Sequence, residues 1–420
     1  MSSLTDTLQL AITSLAALAL VSAFVLFRVS YRPSIKKQTT TRAVQRIRDA
    51  VKPEDGTVRV AEILIHPIKS CRGTSVQSCK YTPLGLENDR EWCFVDTAKN
   101  AIITAREFPK IVLIAPRIEH DPASPHRGSL LVTFPPDAPA GCTQFRVPLH
   151  PSPELLKDWQ ILDKLTLFSE HLDGYIGHSL PLSSPSLASA ISSLYFARPV
   201  HLVYKGPRPR PAEKTVSHPS LVATTVFQDG YPLLVMSRES DEWREGKVDI
   251  RRFRPNVVVE GAGPFAEDAW EEVCFGRKDA PPVELVSKCV RCLLPNVSPD
   301  TGERDKAVPY KVLIKFRTGL DPASKLLPCV GCNGVFNGSG VVSVGDVVYV
   351  KKLVNPVPVI TRSLPFLRIY TRARSPTLDV IRLSTKAGPI DDDDNDNDGL
   401  PVQYIPRMFQ ITTSTTVTNP

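Results

Sequence analysis

From about residue 57 to residue 353 the apolar residues come in short β-branched runs that Gly and Pro repeatedly cut. Prolines number 39. A residue with no N–H donor and a fixed φ suits turns and strand edges rather than long helices. The run 58–65 alternates like a strand that ends at Pro67, and further strands are predicted at Ser75–Tyr81, Trp92–Val95, Ile111–Ile118, Leu130–Phe134 and Pro199–Tyr204. Leu233–Met236, Val257–Glu260, Val283–Ser287, Tyr310–Phe316 and Val341–Val350 continue the pattern. Helices are expected only at 180–196 and at 237–245, with Ser237 as N-cap of the second. Such a chain is mainly β with a few helices, built as barrels or sandwiches rather than βαβ units. The stretch 206–220 is a polar, Pro-rich loop, and no internal repeat is evident.

The N-terminus is of another kind. After a short segment (1–7), Leu8 to Phe27 carries no charge, about the length a helix needs to cross a bilayer. A secretory signal has basic residues before a shorter apolar run, and here none precedes Arg28. The flank that follows (28–56) holds Arg28, Arg32, Lys36, Lys37, Arg42, Arg46 and Arg48. By the positive-inside rule, 8–27 is a single transmembrane anchor with the rest of the chain on the cytosolic side. Arg42 to Val51 could lie on anionic lipid as a basic helix, but a solvated linker is the plainer reading. The formal charge of +7 is largely explained by this flank, and with 7% aromatic residues nucleic-acid binding is disfavoured. At the other end, 354–420 reads as a disordered tail. Its acidic run at 391–399 has EF-hand spacing only at the start, with Ile405 where the bidentate Glu belongs.

Nine cysteines, an odd number without a regular framework, argue for a reducing compartment. Two CxxC pairs, Cys289/Cys292 and Cys329/Cys332, rank on spacing alone as structural zinc first, core thiols second and a single thiolate ligand third. Arg291 beside Cys292 favours a thiolate, which suits a soft or high-valent metal. Basic turns at 67–73, 88–92 and 251–256 add cations of the kind that hold phosphate.

Six blocks stand in order: HPIKSCRG (66–73), NDREW (88–92), FQDGYPLLVMS (227–237), FRPNVVV (253–259), KCVRCLLPNVSPDTG (288–302) and SVGDVVYV (343–350). This series resembles the MOSC-domain molybdenum enzymes, specifically the mitochondrial amidoxime-reducing component family and its bacterial relatives. The resemblance implies an N-terminal MOSC β-barrel domain (57–197) and a MOSC β-barrel domain (198–353). It also implies a molybdenum–molybdopterin cofactor (Moco) bonded through Cys292. Carried over block by block, it implies cofactor contacts from Lys69, Ser70, Arg90, Arg254, Asn256, Arg291 and Asn333. Asp229 would lie near the metal as proton donor or orienter. The implied activity is reduction of amidoximes, hydroxylamines or nitrite at the mitochondrial outer membrane or the endoplasmic reticulum. Electrons would come from cytochrome b5 and its NADH-dependent reductase, since no dinucleotide or heme-attachment motif is present. Tyr231, Pro295, Asn296, the 329–332 pair and the 206–220 loop depart from the family pattern. Two rivals stay open: a MOSC-type sulfur carrier or non-catalytic molybdenum-cofactor-binding module, the carrier having a persulfide on Cys292 but no pyridoxal-phosphate domain to feed it, and a zinc-stabilised membrane adaptor.

Overall fold

The structure is a computed structural model and describes residue 53 and residues 56–241 and 248–354. The predicted anchor at 8–27, the basic segment 42–51 and the acidic run at 391–399 lie outside those residues. Among the described residues no helix is long and apolar enough to cross a membrane.

Numbering only the strands of the two main sheets, these are β1 (Arg59–Ile65), β2 (Thr74–Val76), β3 (Trp92–Asp96), β4 (Ala101–Ile102), β5 (Ile161–Leu167), β6 (Glu170–Ile176), β7 (Val200–Lys205), β8 (Leu233–Ser237), β9 (Val257–Glu260), β10 (Trp270–Phe275), β11 (Val283–Val290), β12 (Cys329–Phe336) and β13 (Val348–Leu353). Strands β5-β6-β7-β3-β4 form a closed barrel. The other sheet runs β2-β1-β9-β8-β12-β11-β10-β13. It curls so that the start of β1 meets the start of β13: Val60 N–H donates to Asp346 O at 2.8 Å and Val348 N–H to Val58 O at 2.9 Å.

The chain crosses residue 197 in both directions. Strand β7 completes the barrel begun by β3–β6, while β1 and β2 belong to the sheet built mostly from residues 233–353. The joint is the β1–β9 pairing, with Ile63 opposite Val257.

Period-2 geometry explains how β3 can be buried along its whole length. Trp92 and Phe94 face one core with Leu130, Val147 and Ile191, which packs the helix Leu187–Phe196 onto the barrel. Cys93 and Val95 face the barrel interior with Leu165, Leu167, Val203 and Phe227. Strand β7 divides likewise, Leu202 to the first core and Val203 to the second.

Several sequence expectations need correction. Tyr310–Phe316, read as a strand, is a short helix over Tyr310–Ile314 of which only Leu313 is buried, so the run presents one apolar position rather than an alternating face. Ile111–Ile118 is a 3-10 turn (Pro109–Leu113) followed by a strand (Ala115–His120). Ser75–Tyr81 divides between β2 and the strand Ser78–Thr82, and Val341–Val350 between the strand Gly340–Ser343 and β13. In the second case the turn at Gly345, with φ 89°, breaks the run. Of the 237–245 helix, the structure has a 3-10 turn at Arg238–Asp241, and 242–247 lie outside the described residues.

Trp92 is 2% exposed, with Tyr204 and Trp159 rings 4.9 and 6.0 Å away. Trp92→Ala is expected to cost about 3–5 kcal/mol in urea unfolding, against about 0.5 kcal/mol or less for Leu326→Ala on the surface.

Candidate active site

Three tight turns and two strands converge on one cleft of about 1000 Å3. Lys69 and Ser70 follow β1. Arg90 precedes β3 and is tied to that first turn, since its N–H donates to His66 O at 2.7 Å and Lys69 N–H donates to Trp92 O at 2.8 Å. Arg254 caps the 3-10 turn Ile250–Phe253 ahead of β9. Ser70, Arg90 and Arg254 all adopt left-handed backbone, with φ of 68°, 56° and 57°. Each such residue costs about 1 kcal/mol or more when it is not Gly, and strained positions of this kind gather at functional sites.

The cations are closely coupled. Arg90 donates to Asp89 Oδ2 at 2.6 Å, to Asn256 Oδ1 at 3.1 Å and to the Arg254 carbonyl at 3.2 Å. Arg254 Nη1 donates to Cys71 O at 2.7 Å, while its Nη2 is buried with no hydrogen-bond partner. Burial first, and then the neighbouring Arg90 charge, lower the Arg254 pKa to about 10. A buried guanidinium with a free donor beside a second guanidinium is a site that wants an anion. Burial would raise Asp89, but Arg90 and then His66 outweigh it and hold the carboxyl at about 2. Burial together with Arg254 and Arg90 keeps His66 neutral, well below its ordinary value.

Lys69 is 4% exposed and donates to Phe227 O at 2.7 Å and to the Asp229 carboxylate. Burial lowers its pKa, and Asp229 partly restores it. Desolvation raises the Asp229 carboxyl, but Lys69, then Arg106 and Arg90, hold it below the usual carboxylate range. Its side chain is still 59% exposed at the mouth of the cleft. Asp229 is therefore ionised at neutral pH. An ionised carboxylate at the cleft mouth can accept hydrogen bonds.

Cys292 lies just past β11, partly exposed, its Sγ accepting Leu294 N–H at 3.4 Å. Arg291 is turned away from the thiol and into the protein. Its donors reach Val330 O at 3.0 and 2.6 Å and Phe253 O at 2.9 Å, and its guanidinium stacks over the Phe253 ring at 5.3 Å. It braces the loop that carries Cys292. Asn256 is likewise used up internally, accepting from Arg90 and Leu234 N–H and donating to Leu64 O. Asn333, on β12, donates to Ser287 Oγ at 3.0 Å. All nine residues expected from sequence line this cleft. Within it, Asn256 and Arg291 hold other residues in place.

Residues 57–170 match the MOSC N-terminal beta barrel domain and residues 223–349 the MOSC domain. The chain is 30% identical over 311 residues to mitochondrial amidoxime-reducing component 1 of Mus musculus, covering 69% of this chain and 81% of that protein. It is 30% identical over 301 residues to the Xenopus laevis protein of that name, covering 69% and 81%, and 28% identical over 304 residues to mitochondrial amidoxime reducing component 2 of Bos taurus, covering 69% and 82%. The chain belongs to this family.

Within this family member the two CxxC pairs do not make one metal site. Cys329 and Cys332 are buried on β12, where Cys332 S–H donates to Glu267 O at 3.1 Å and accepts from Lys288 Nζ at 3.4 Å. Burial pushes Cys332 up strongly and Cys329 to about 12. Among the described residues no group of three or more His, Cys, Asp or Glu side chains is placed to hold a metal ion, which removes the zinc-ribbon reading. Sequence reasoning missed Arg210, which is 3% exposed. It bonds Glu170 through two contacts of 2.8 Å and donates to the carbonyls of Val226 and Asp229 at 3.2 and 3.0 Å. It also missed Arg106, whose guanidinium lies 4.3 Å over the Phe168 ring and 3.9 Å from Asp229. Neither carries a motif signal. Arg210 looks like any charge in a Pro-rich loop until the loop folds.

Because Asp89 is depressed from 3.8 to about 2, its contribution to stability is present above pH ~4 and is lost as pH falls toward about 2. Asp89→Asn should flatten the acid limb of a stability–pH curve measured by urea unfolding in that window.

Proposed function

We propose that the chain is a molybdenum-cofactor oxidoreductase that reduces N-hydroxylated compounds such as amidoximes and hydroxylamines, and in addition nitrite. The observation that carries this reading is the unpartnered, buried Arg254 Nη2 beside Arg90, in the same cleft as the partly exposed Cys292 thiol. An anion-seeking end and a soft ligand in one cleft suit a metal cofactor that bears a phosphate. The family membership and the relatives' names point the same way.

In this reading Arg254, Arg90 and Lys69 hold the anionic part of the cofactor, helped by Ser70, and Cys292 ligates the metal. When bound, the cofactor supplies the two-electron redox chemistry that side chains cannot. The chain's own residues bind and orient. Asp229, kept ionised by Lys69, accepts a hydrogen bond from the N–OH or amine of the substrate and fixes its approach. Reduction of N–OH to N–H with release of water consumes two protons, which solvent at the cleft mouth can supply. Asn256 and Arg291 keep the cations and the Cys292 loop in register.

The same proposal takes 8–27 as a membrane anchor with the cleft on the cytosolic side, in the mitochondrial outer membrane or the endoplasmic reticulum; the relatives' names carry the word mitochondrial and favour the first. Electrons are drawn from cytochrome b5 and its NADH-dependent reductase, and a shared membrane raises the effective concentration of such partners.

The test is metal analysis of the purified chain together with benzamidoxime reduction by reconstituted cytochrome b5 and its reductase. Stoichiometric molybdenum, lost in Cys292→Ser and reduced in Arg254→Met, is expected. Zinc in place of molybdenum would sink the reading, and a persulfide on Cys292 without reductase activity would favour a sulfur carrier. Asp229→Asn in loaded enzyme should lower kcat/KM by about 10²-fold through lost orientation, with molybdenum content retained.

A further inference from the structure

The polar stretch around 206–220 is built rather than slack. Its base is a two-stranded ribbon in which Arg210 and Pro211 pair with Thr225 and Thr224. Ala212 N–H closes that base by donating to Ala223 O at 2.9 Å. Arg210 anchors the ribbon to Glu170 and to the carbonyl of Asp229, so the base is fixed to the cleft mouth itself. Further along, Tyr231 Oη donates to Glu213 O at 3.0 Å, and Thr215 Oγ1 donates to Val286 O at 3.0 Å while accepting His218 N–H at 2.9 Å. Val286 lies on β11, the strand that leads to Cys292, and Tyr231 is two residues past Asp229. Glu213, Thr215, His218 and Tyr231 line the same cleft as Cys292. An excursion held at its base by a buried Arg and further along by two hydroxyls has few conformations left.

We propose that the 212–223 excursion is a fixed wall of the cleft, and that Tyr231 and Thr215, by pinning it, are specificity-determining residues that restrict by size what reaches Cys292. As a statement about substrates this rests on the reductase reading; as a statement about access to the Cys292 thiol it does not. The wall favours compact N-hydroxylated compounds over those carrying bulky groups near the reacting nitrogen. Removing the Tyr231 hydroxyl takes away its bond to Glu213 O, and removing the Thr215 hydroxyl takes away its bonds to Val286 O and His218 N–H; either loss raises local opening of the wall at least about fivefold.

The experiment uses the full chain produced without molybdenum cofactor, so that Cys292 is a free thiol. It is treated with methyl methanethiosulfonate or with a bulky dye maleimide, and modification of the tryptic peptide that begins at Cys292 is followed by mass spectrometry. Tyr231→Phe and Thr215→Val should each speed the bulky reagent about fivefold and leave the small reagent nearly unchanged. Fully buried Cys71 and Cys93, unlabelled throughout, certify that each variant is folded. Equal acceleration of both reagents, or of neither, would overturn the wall. In loaded enzyme the same substitutions should shift kcat/KM toward the bulkier of two amidoximes, and an unchanged preference would overturn the substrate claim. Failure of the unsubstituted enzyme to reduce any amidoxime would remove the reductase reading while the labelling result stands.

Discussion

The guanidinium of Arg90 joins what would otherwise be separate pieces of chain. It reaches Asp89 beside it, the amide of Asn256 and the carbonyl of Arg254, more than 160 positions away. Asn256 in turn takes Leu234 N–H and gives to Leu64 O, at the junction of β1, β8 and β9. One side chain thus links the turn before the barrel to the turn before β9. Such a network is strong only when complete, because a buried polar group left unpaired costs more than a paired one gains. The left-handed backbone at Ser70, Arg90 and Arg254 is tolerated because this network and the surrounding sheet hold it.

Among the cleft cations one donor is left over. Arg90, Asn256 and Arg291 spend their hydrogen-bonding groups on the protein, whereas Arg254 Nη2 is buried and unspent. Like charges on Arg90 and Arg254 also oppose each other, and Asp89 offsets that only in part. An anion in the cleft would relieve both, and the protein contributes the cations ready placed. Among the thiols a comparable division holds. Burial raises Cys71, Cys93, Cys329 and Cys332 beyond easy ionisation, while Cys292 opens on the cleft.

Legibility differed between elements for physical reasons. Strands such as β3 and β9 were readable because β-branched and aromatic residues in a short run have little choice once a sheet is available. Tyr310–Ile314 was not, since an apolar run of that length fits a helical turn equally well and periodicity cannot separate the two. Runs cut by a turn, as at Gly345, read as one strand because a single Gly in an apolar stretch can be either bend or bulge. Strand pairing does not follow the chain order on either side of residue 197, for β1 and β2 pair into the sheet built mostly from residues 233–353 and β7 into the barrel of β3–β6.

What the sequence determined by itself was the mainly β class and a set of basic turns and cysteines that could serve a phosphate-bearing metal cofactor. With the ordered blocks it determined the family and nine residues that all meet in one cleft. Side-chain type and spacing carry that much because the turns are local and their residues adjoin strand ends. Only the tertiary structure decided the rest: that Lys69 holds the Asp229 carboxyl low, that Asn256 and Arg291 brace while Arg254 keeps a free donor, that the cysteine pairs, although on neighbouring strands, form no shared metal site among the described residues, and that Arg210 fixes a loop to the cleft mouth. Each of these depends on contacts between residues far apart in the chain and on burial, neither of which one-dimensional spacing contains.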